Sequence, residues 1–290
     1  MERNSLGQQP LEVFVTTYEE FSSKQTVIEL SGVGYRPMKI AYTDDGEGDV
    51  IVMLHGIPTW SYLYNRVVPY LSPNVRVICP DLIGYGHSDQ RDCFDRSIRA
   101  QAKMVAALLD ALGIEKATVL GHDIGGGAAL VFAIDYPERL EKLVLTNIVA
   151  YHTWPNAGMI ELGDPFWVER EPADVVKFAR ERNFAGYDQP EIDVIFQPYM
   201  SKTGMISLIR NASGLSTNHT MELVDLHSTI KARTLLLWGA KDEWQEPWIA
   251  DRLTQEIPET KLVKVPSAGH WIQFDEPEIF AREIAAFMQE

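Results

Sequence analysis

Short apolar runs alternate with helix-like segments along most of this chain. Runs of this kind are typical of strands buried on both faces of a sheet, and they occur at 50–54 and 76–80. Further strand-like segments lie at 117–122, 142–147, 234–239 and 261–265. Apolar residues recur at helical spacing over 97–112, 125–136 and 276–289. The alternation predicts an α/β fold with a mostly parallel central sheet flanked by helices.

The alternation stops between about residues 150 and 226. This stretch has no buried-strand run, and it carries helical patterns at 173–184 and 201–212 between Pro, Gly and aromatic interruptions. We interpret it as a helical cap inserted into the core. The predicted division is a first core part at 1–149, the cap at 150–226 and a second core part at 227–290.

The charge of the chain limits its partners. The 290 residues include 26 Lys and Arg against 41 Asp and Glu, a formal charge of −15, which repels phosphate backbones and argues against nucleic acid. No stretch approaches the roughly 18 apolar residues of a membrane span, and residues 1–24 lack the apolar segment of a secretion signal. We expect a cytoplasmic monomer or homodimer that acts on a small molecule.

One segment has the pattern of a nucleophile at a sharp turn. Gly121-His122-Asp123-Ile124-Gly125 joins a strand to a helix as G-x-D-x-G. In the related pattern G-x-S-x-G the central residue is a nucleophile presented above the sheet, and the glycines allow close backbone approach. Taken alone, Asp123 is equally explained as a carboxylate that caps the following helix.

Two more side chains complete a set. Asp242 follows the strand at 234–239, and His270 follows the last strand. Each has a simpler explanation by itself, as a loop carboxylate that caps a helix or as a surface histidine. Their joint occurrence in the order nucleophile, acid, histidine predicts a catalytic triad of Asp123, Asp242 and His270.

Two loops resemble those of a known family. The segments 55–64 (HGIPTWSYLY) and 80–89 (PDLIGYGHSD) are similar to haloalkane dehalogenase segments, and Asn147 agrees with members whose triad acid lies late in the chain. The chain therefore resembles the aspartate-nucleophile branch of the α/β hydrolases, which contains haloalkane dehalogenases and epoxide hydrolases. The resemblance covers most of the chain and is weakest in the cap.

The resemblance implies an α/β-hydrolase fold and assigns roles. Asp123 is the implied nucleophile, with Asp242 and His270 as acid and base. The backbone N–H groups of Ile57 and Ile124 are the implied oxyanion hole. No metal or organic cofactor is implied.

The sequence departs from the dehalogenase pattern at the halide site. Haloalkane dehalogenases normally have Trp directly after the nucleophile, where this chain has Ile124, and the alternative halide-binding Asn would fall at Ile57. Epoxide hydrolases instead protonate the epoxide oxygen, usually from cap tyrosines. The candidates for contact with substrate or leaving group, each of which is also explained as ordinary packing, are Trp60, Tyr151, His152, Trp154, Trp167, Tyr187, Tyr199 and His219.

A carboxylate nucleophile suits saturated carbon. Asp is ionised near pH 7, so Asp123 can displace halide or open an epoxide without a base, and His270 would then activate water to hydrolyse the ester. We expect a hydrolase that acts on a small neutral apolar substrate through a covalent aspartyl ester, with haloalkane dehalogenase-like chemistry. The first alternative is an epoxide hydrolase that yields a diol. A further alternative is a non-catalytic ligand-binding protein on a hydrolase fold.

Overall fold

The computed structural model of the protein describes residues 16–290, and an eight-stranded sheet lies at its centre. The strands are β1 (Thr26–Leu30), β2 (Met38–Asp45), β3 (Val50–Leu54), β4 (Arg76–Pro80), β5 (Ala117–Asp123), β6 (Leu140–Ile148), β7 (Thr234–Gly239) and β8 (Thr260–Val265). Their order in the sheet is β1-β2-β4-β3-β5-β6-β7-β8. Neighbours from β4 to β8 are parallel, whereas β2 is antiparallel to both β1 and β4. The predicted mostly parallel α/β sheet is confirmed.

Helices connect and flank these strands. The α-helices are α1 (Tyr18–Lys24), α2 (Val68–Leu71), α3 (Ile98–Ala111), α4 (Ile124–Asp135), α5 (Ala157–Leu162), α6 (Pro172–Asn183), α7 (Pro190–Phe196), α8 (Lys202–Ser213), α9 (Asn218–Met221), α10 (Pro247–Glu256), α11 (Ile272–Asp275) and α12 (Pro277–Gln289). Short 3₁₀ helices lie at Ser61–Tyr64, Pro137–Arg139, Pro165–Glu169, Gln197–Tyr199 and Val224–Thr229.

The central strands carry the core. Every residue of β5 and of β7 is buried, which explains their unbroken apolar sequences, whereas the edge strands β1 and β8 are partly exposed. Helix α3 begins where the Ser97 side chain accepts a hydrogen bond from the N–H of Ala100. It packs along α4, which is buried over its first ten residues.

The antiparallel pair β1 and β2 was not among the predicted strands. Both strands precede the first strand that the sequence predicted, and the exposed positions in β1 break the apolar run that identifies a buried strand. Charged residues interrupt β2 in the same way. This edge of the sheet therefore lacks the signal by which the parallel strands were found.

Between β6 and β7 the chain forms only helices and loops. Helices α5 to α9 lie here, and the last 3₁₀ helix of the stretch ends at Thr229. The division at 150–226 into an inserted cap stays a prediction. We call residues 150–229 the helical segment below.

Within residues 16–290 no helix combines the length and the apolar character needed to cross a bilayer. The first 15 residues lie outside the described residues. Part of the expectation about a secretion signal depends on them.

Candidate active site

Asp123 occupies a sharp turn between β5 and α4. Its backbone has φ 53° and ψ −122°, a conformation that residues with a side chain rarely adopt. Such strain typically costs on the order of 1–3 kcal/mol and is found where a side chain must be aimed at a site. The carboxylate therefore stands at the carboxyl end of a central strand, directly before the first turn of a helix.

The tight packing of this turn requires glycine at two positions. A Cβ built on Gly56 would lie 2.5 Å from the Cβ of Asp123, and one built on Gly121 would lie 2.3 Å from the backbone oxygen of Gly125. No side chain fits at such distances. The glycines at these positions therefore let the loop after β3 and the start of α4 close around Asp123.

Three side chains predicted to act together meet at this point. The Nδ1 atom of His270 is 2.8 Å from Oδ2 of Asp242, and its Nε2 atom is 3.9 Å from Oδ2 of Asp123. The first distance is a hydrogen bond, whereas the second is too long for one. All three residues are buried. The imidazole thus has one carboxylate bound behind it and another in front of it.

Asp242 is held by several donors. Its Oδ1 accepts from the backbone N–H groups of Trp244 at 2.8 Å and Gln245 at 3.0 Å. Its Oδ2 accepts from the side-chain amide of Asn147 at 2.7 Å, besides the bond from His270. Burial raises the pKa of Asp242, but the charge and hydrogen bond of His270 outweigh it, so the pKa lies below its ordinary value. The carboxylate stays ionised and oriented.

Asn147 joins two strands at the site. It lies one residue before the end of β6 with φ 46°, and its Oδ1 accepts the N–H of Gly239 at 2.9 Å while its amide donates to Asp242. In the sequence, Asn147 was only a marker of the family resemblance. The structure adds its contact with the acid.

Two backbone N–H groups act on the carboxylate of Asp123. Ile57 N–H donates to Oδ1 at 3.0 Å. Burial raises the pKa of Asp123 above its ordinary 3.8, and this rise is opposed by His270 and by the N–H groups of Ile124 and Ile57. The two residues predicted for an oxyanion hole therefore act on the same carboxylate.

The pKa of His270 lies above its ordinary value of 6.5. Burial lowers it, but the charge and hydrogen bond of Asp242 and the charges of Asp123 and Asp275 together outweigh burial. His122 stays neutral, since burial and His270 hold its pKa well below 6.5. Its Nε2 donates to the backbone oxygen of His270 at 3.0 Å.

A cavity of about 350 Å³ opens beside the imidazole. Its lining includes His270, Asp242, Trp244, Trp271 and Tyr187. The ring centroid of His270 lies 4.9 Å from that of Trp244 and 4.6 Å from that of Trp271. Neither tryptophan was among the predicted site residues, although each lies within two residues of a predicted triad member, and that proximity was the available signal.

Most of the predicted leaving-group donors are already bonded elsewhere. Trp154 donates its indole N–H to the Thr220 hydroxyl at 2.7 Å, and Trp167 donates to the backbone oxygen of Glu161 at 2.8 Å. Tyr151 donates to Glu256 at 2.7 Å. Each of these donors would have to leave its partner within the protein before it could bind a leaving group, so the three assignments stay predictions.

The remaining candidates divide between the cavity and other places. Tyr187 lines the cavity, but its hydroxyl donates to Asp275 at 2.8 Å. The Tyr199 hydroxyl is 3.5 Å from the backbone oxygen of Thr59, and Tyr199 is buried. His152 is exposed and His219 is partly exposed, which does not suit a dry leaving-group site.

Trp60 is fully buried beside α1. Its indole contacts the rings of Phe21, Tyr62 and His87. The indole N–H has no hydrogen-bond partner among the described residues, but these contacts give it no link to Asp123.

Comparison with known proteins identifies the family of the chain. A model of the α/β-hydrolase fold matches residues 49–186. A 2-hydroxy-6-oxo-6-phenylhexa-2,4-dienoate hydrolase from Comamonas testosteroni is 31% identical, over 87% of this chain and 91% of that protein. The chain belongs to the α/β-hydrolase family.

Other relatives place this α/β hydrolase among enzymes of several activities. Haloalkane dehalogenase 2 from Mycobacterium tuberculosis is 27% identical, over 85% of this chain and 90% of that protein. An α/β-hydrolase-fold protein from Burkholderia ambifaria has a TM-score of 0.80 at 24% identity, covering 90% of this chain and 99% of that one. The predicted α/β-hydrolase fold is confirmed, and the protein is an enzyme of the α/β-hydrolase type.

The described part of the chain, residues 16–290, contains no cluster of three or more His, Cys, Asp or Glu arranged to hold a metal ion.

Proposed function

We propose that this α/β hydrolase cleaves a small neutral apolar substrate through a covalent ester on Asp123. One observation carries the proposal: a buried imidazole is bonded to Asp242 and faces a second carboxylate that stands on a strained turn. Relatives of similar identity have names that describe different reactions, so the reaction is argued from the site.

The first step needs no base. Asp123 Oδ2 forms a bond to a saturated carbon, and the carbon–halogen bond breaks with its electron pair, which releases halide. The N–H groups of Ile57 and Ile124 hold the carboxylate in position.

The second step needs His270. Once Asp123 is an ester it carries no charge, so His270 loses a neighbouring anion that raises its pKa, and a larger fraction of the imidazole is neutral and able to take a proton from water. The water oxygen attacks the carboxyl carbon, and negative charge develops on the oxygen that faces Ile57. Collapse releases the alcohol, which takes the proton from His270, and leaves Asp123 as a carboxylic acid that returns to the carboxylate by losing its proton to solvent. Asp242 stabilises the intervening imidazolium.

Halide is the proposed leaving group. It departs without a proton, and the Tyr151 and Tyr187 phenols already donate to carboxylates. Similarity to haloalkane dehalogenase 2 supports this choice. An epoxide is the second candidate, and it is favoured by Ile124, which offers no side-chain N–H to a halide where dehalogenases have an indole.

Oxygen isotope labelling tests the ester mechanism. A panel of short bromoalkanes and terminal epoxides is reacted with stoichiometric enzyme in ¹⁸O-labelled water, and the Asp123 peptide is weighed. Since water attacks the carboxyl carbon, the label is expected in Asp123, and the first-turnover product should carry unlabelled oxygen. Label in the product alone, with none in Asp123, would contradict the proposal, because water would then attack the substrate directly.

The two steps should differ in pH dependence. Ester formation needs ionised Asp123 and falls as pH drops through its pKa, which is raised above 3.8. Hydrolysis needs neutral His270, whose pKa in the free enzyme is raised above 6.5. In the ester, the charge and hydrogen bond of Asp242 still raise this pKa. As pH falls from neutral, hydrolysis should slow first, so the wild-type ester should accumulate at mildly acidic pH. Rapid-quench mass spectrometry across pH measures the amount of ester. If both steps slow over the same acidic pH range, the prediction is wrong.

A further inference from the structure

Asp275 connects the loop of His270 to the helical segment. It is the last residue of α11, and its Oδ2 accepts the backbone N–H of Gly269, the residue before His270, at 2.7 Å. Its Oδ1 accepts the hydroxyl of Tyr187 at 2.8 Å. One carboxylate thus joins the catalytic loop to the connection between α6 and α7.

The residue after His270 is held by the same part of the helical segment. Trp271 donates its indole N–H to the backbone oxygen of Asn183 at 2.8 Å. Its ring stacks on Phe184 with centroids 4.5 Å apart and planes 16° apart. Both chain neighbours of His270 are therefore bonded, directly or through Asp275, to residues 183–187.

Charges surround the imidazole on several sides. Asp123 and Asp242 face its two nitrogen atoms, the negative charge of Asp275 acts from α11, and neutral His122 lies against the ring. The other titratable or charged groups that line the same cavity are Arg182, Tyr187, Lys241 and Glu243. Asp275 differs from the two triad carboxylates because its hydrogen bonds go to the loop and to Tyr187.

We propose that Asp275 is a positioning residue for ester hydrolysis, and that Tyr187 links the placement of His270 to the seating of the helical segment. This inference rests on the proposed function. Ester formation needs no proton transfer, whereas hydrolysis requires His270 to meet a water molecule at the correct distance. A displacement of about 1 Å can cost on the order of 100-fold in rate. Loss of either bond should therefore slow the second step selectively.

Three substitutions separate the contributions. Tyr187→Phe removes the bond to the helical segment and keeps the carboxylate. Asp275→Asn keeps an acceptor for Gly269 but removes the charge, and Asp275→Ala removes both. Asp251→Asn is the control, since Asp251 is a half-exposed residue of α10 that pairs with Lys264.

The lifetime of the ester is measured by rapid-quench intact mass. Hydrolysis is expected to slow about 10-fold to 100-fold in Asp275→Ala and less in Tyr187→Phe, with ester formation unchanged. In Asp275→Asn the pH at which hydrolysis slows on acidification should be lower, because the charge of Asp275, which raises the pKa of His270, is lost. Equal slowing of both steps, or an unchanged ester lifetime in all three variants, would overturn the proposal.

NMR titration of labelled histidines in substrate-free enzyme gives a second readout. The pKa of His270 should fall in Asp275→Asn and stay unchanged in Asp251→Asn. If no ester forms in the wild-type enzyme but this pKa falls, the proposed function fails and the influence of Asp275 on His270 stands. If the pKa does not move, the role of Asp275 is wrong whatever the reaction.

Discussion

Replacement of His270 by glutamine is expected to leave Asp123 covalently modified after mixing with a substrate. Glutamine preserves a polar side chain of similar size, but it cannot take a proton from water. Asp123 can still attack, so the first step survives while hydrolysis stops. Turnover should fall by about 10⁴-fold or more, as for loss of a catalytic base elsewhere.

Intact-protein mass identifies the substrate class in the same experiment. A bromoalkane should add its alkyl group to Asp123 in place of a proton, whereas an epoxide should add its whole mass. Asp251→Asn is the control, because Asp251 pairs with Lys264 on the surface, and this variant should turn over normally. If His270→Gln shows no adduct with substrates that the wild-type enzyme consumes, an ester on Asp123 is not an intermediate.

Removal of the nucleophile is expected to have the other large effect. In Asp123→Ala no group at the turn can form the ester, so turnover should fall by roughly 10⁴-fold or more. No adduct should form even when His270 is also replaced. Steady-state kinetics and mass spectrometry measure these outcomes.

The fold should survive this change. Alanine adds no atoms at the crowded contact with Gly56, and circular dichroism with thermal unfolding checks that the enzyme remains folded. Asp135→Ala is the control, since Asp135 lies at the far end of α4, the helix that follows Asp123, and pairs with Arg99 on the surface. Retained activity in Asp123→Ala would mean that the nucleophile is misassigned.

Local patterns carried most of the fold prediction. Strands β3 and β4 begin and end at the predicted residues, because an apolar run between polar or turn residues is visible in the sequence itself. Helix α3 lies within one residue of its predicted ends, at a serine cap and a stop before Gly113. The edge strands β1 and β2 lack such runs, and they were missed.

The G-x-D-x-G turn and the order of Asp123, Asp242 and His270 were readable from the chain because each lies at the end of a predicted strand. In a parallel sheet those ends meet on one edge, so topology brings the three side chains together. The catalytic assignment drawn from them is a prediction that the substitutions above test.

The sequence by itself therefore determined the α/β architecture and the residues that would converge, because both depend on patterns a few residues long. Only the tertiary structure decided which donors are free. The contact between Asn147 and Asp242 spans 95 residues, and the bond from Tyr187 to Asp275 spans 88. Hydrogen-bond partners so far apart in the chain depend on how the helical segment packs on the core, and no local pattern records that packing.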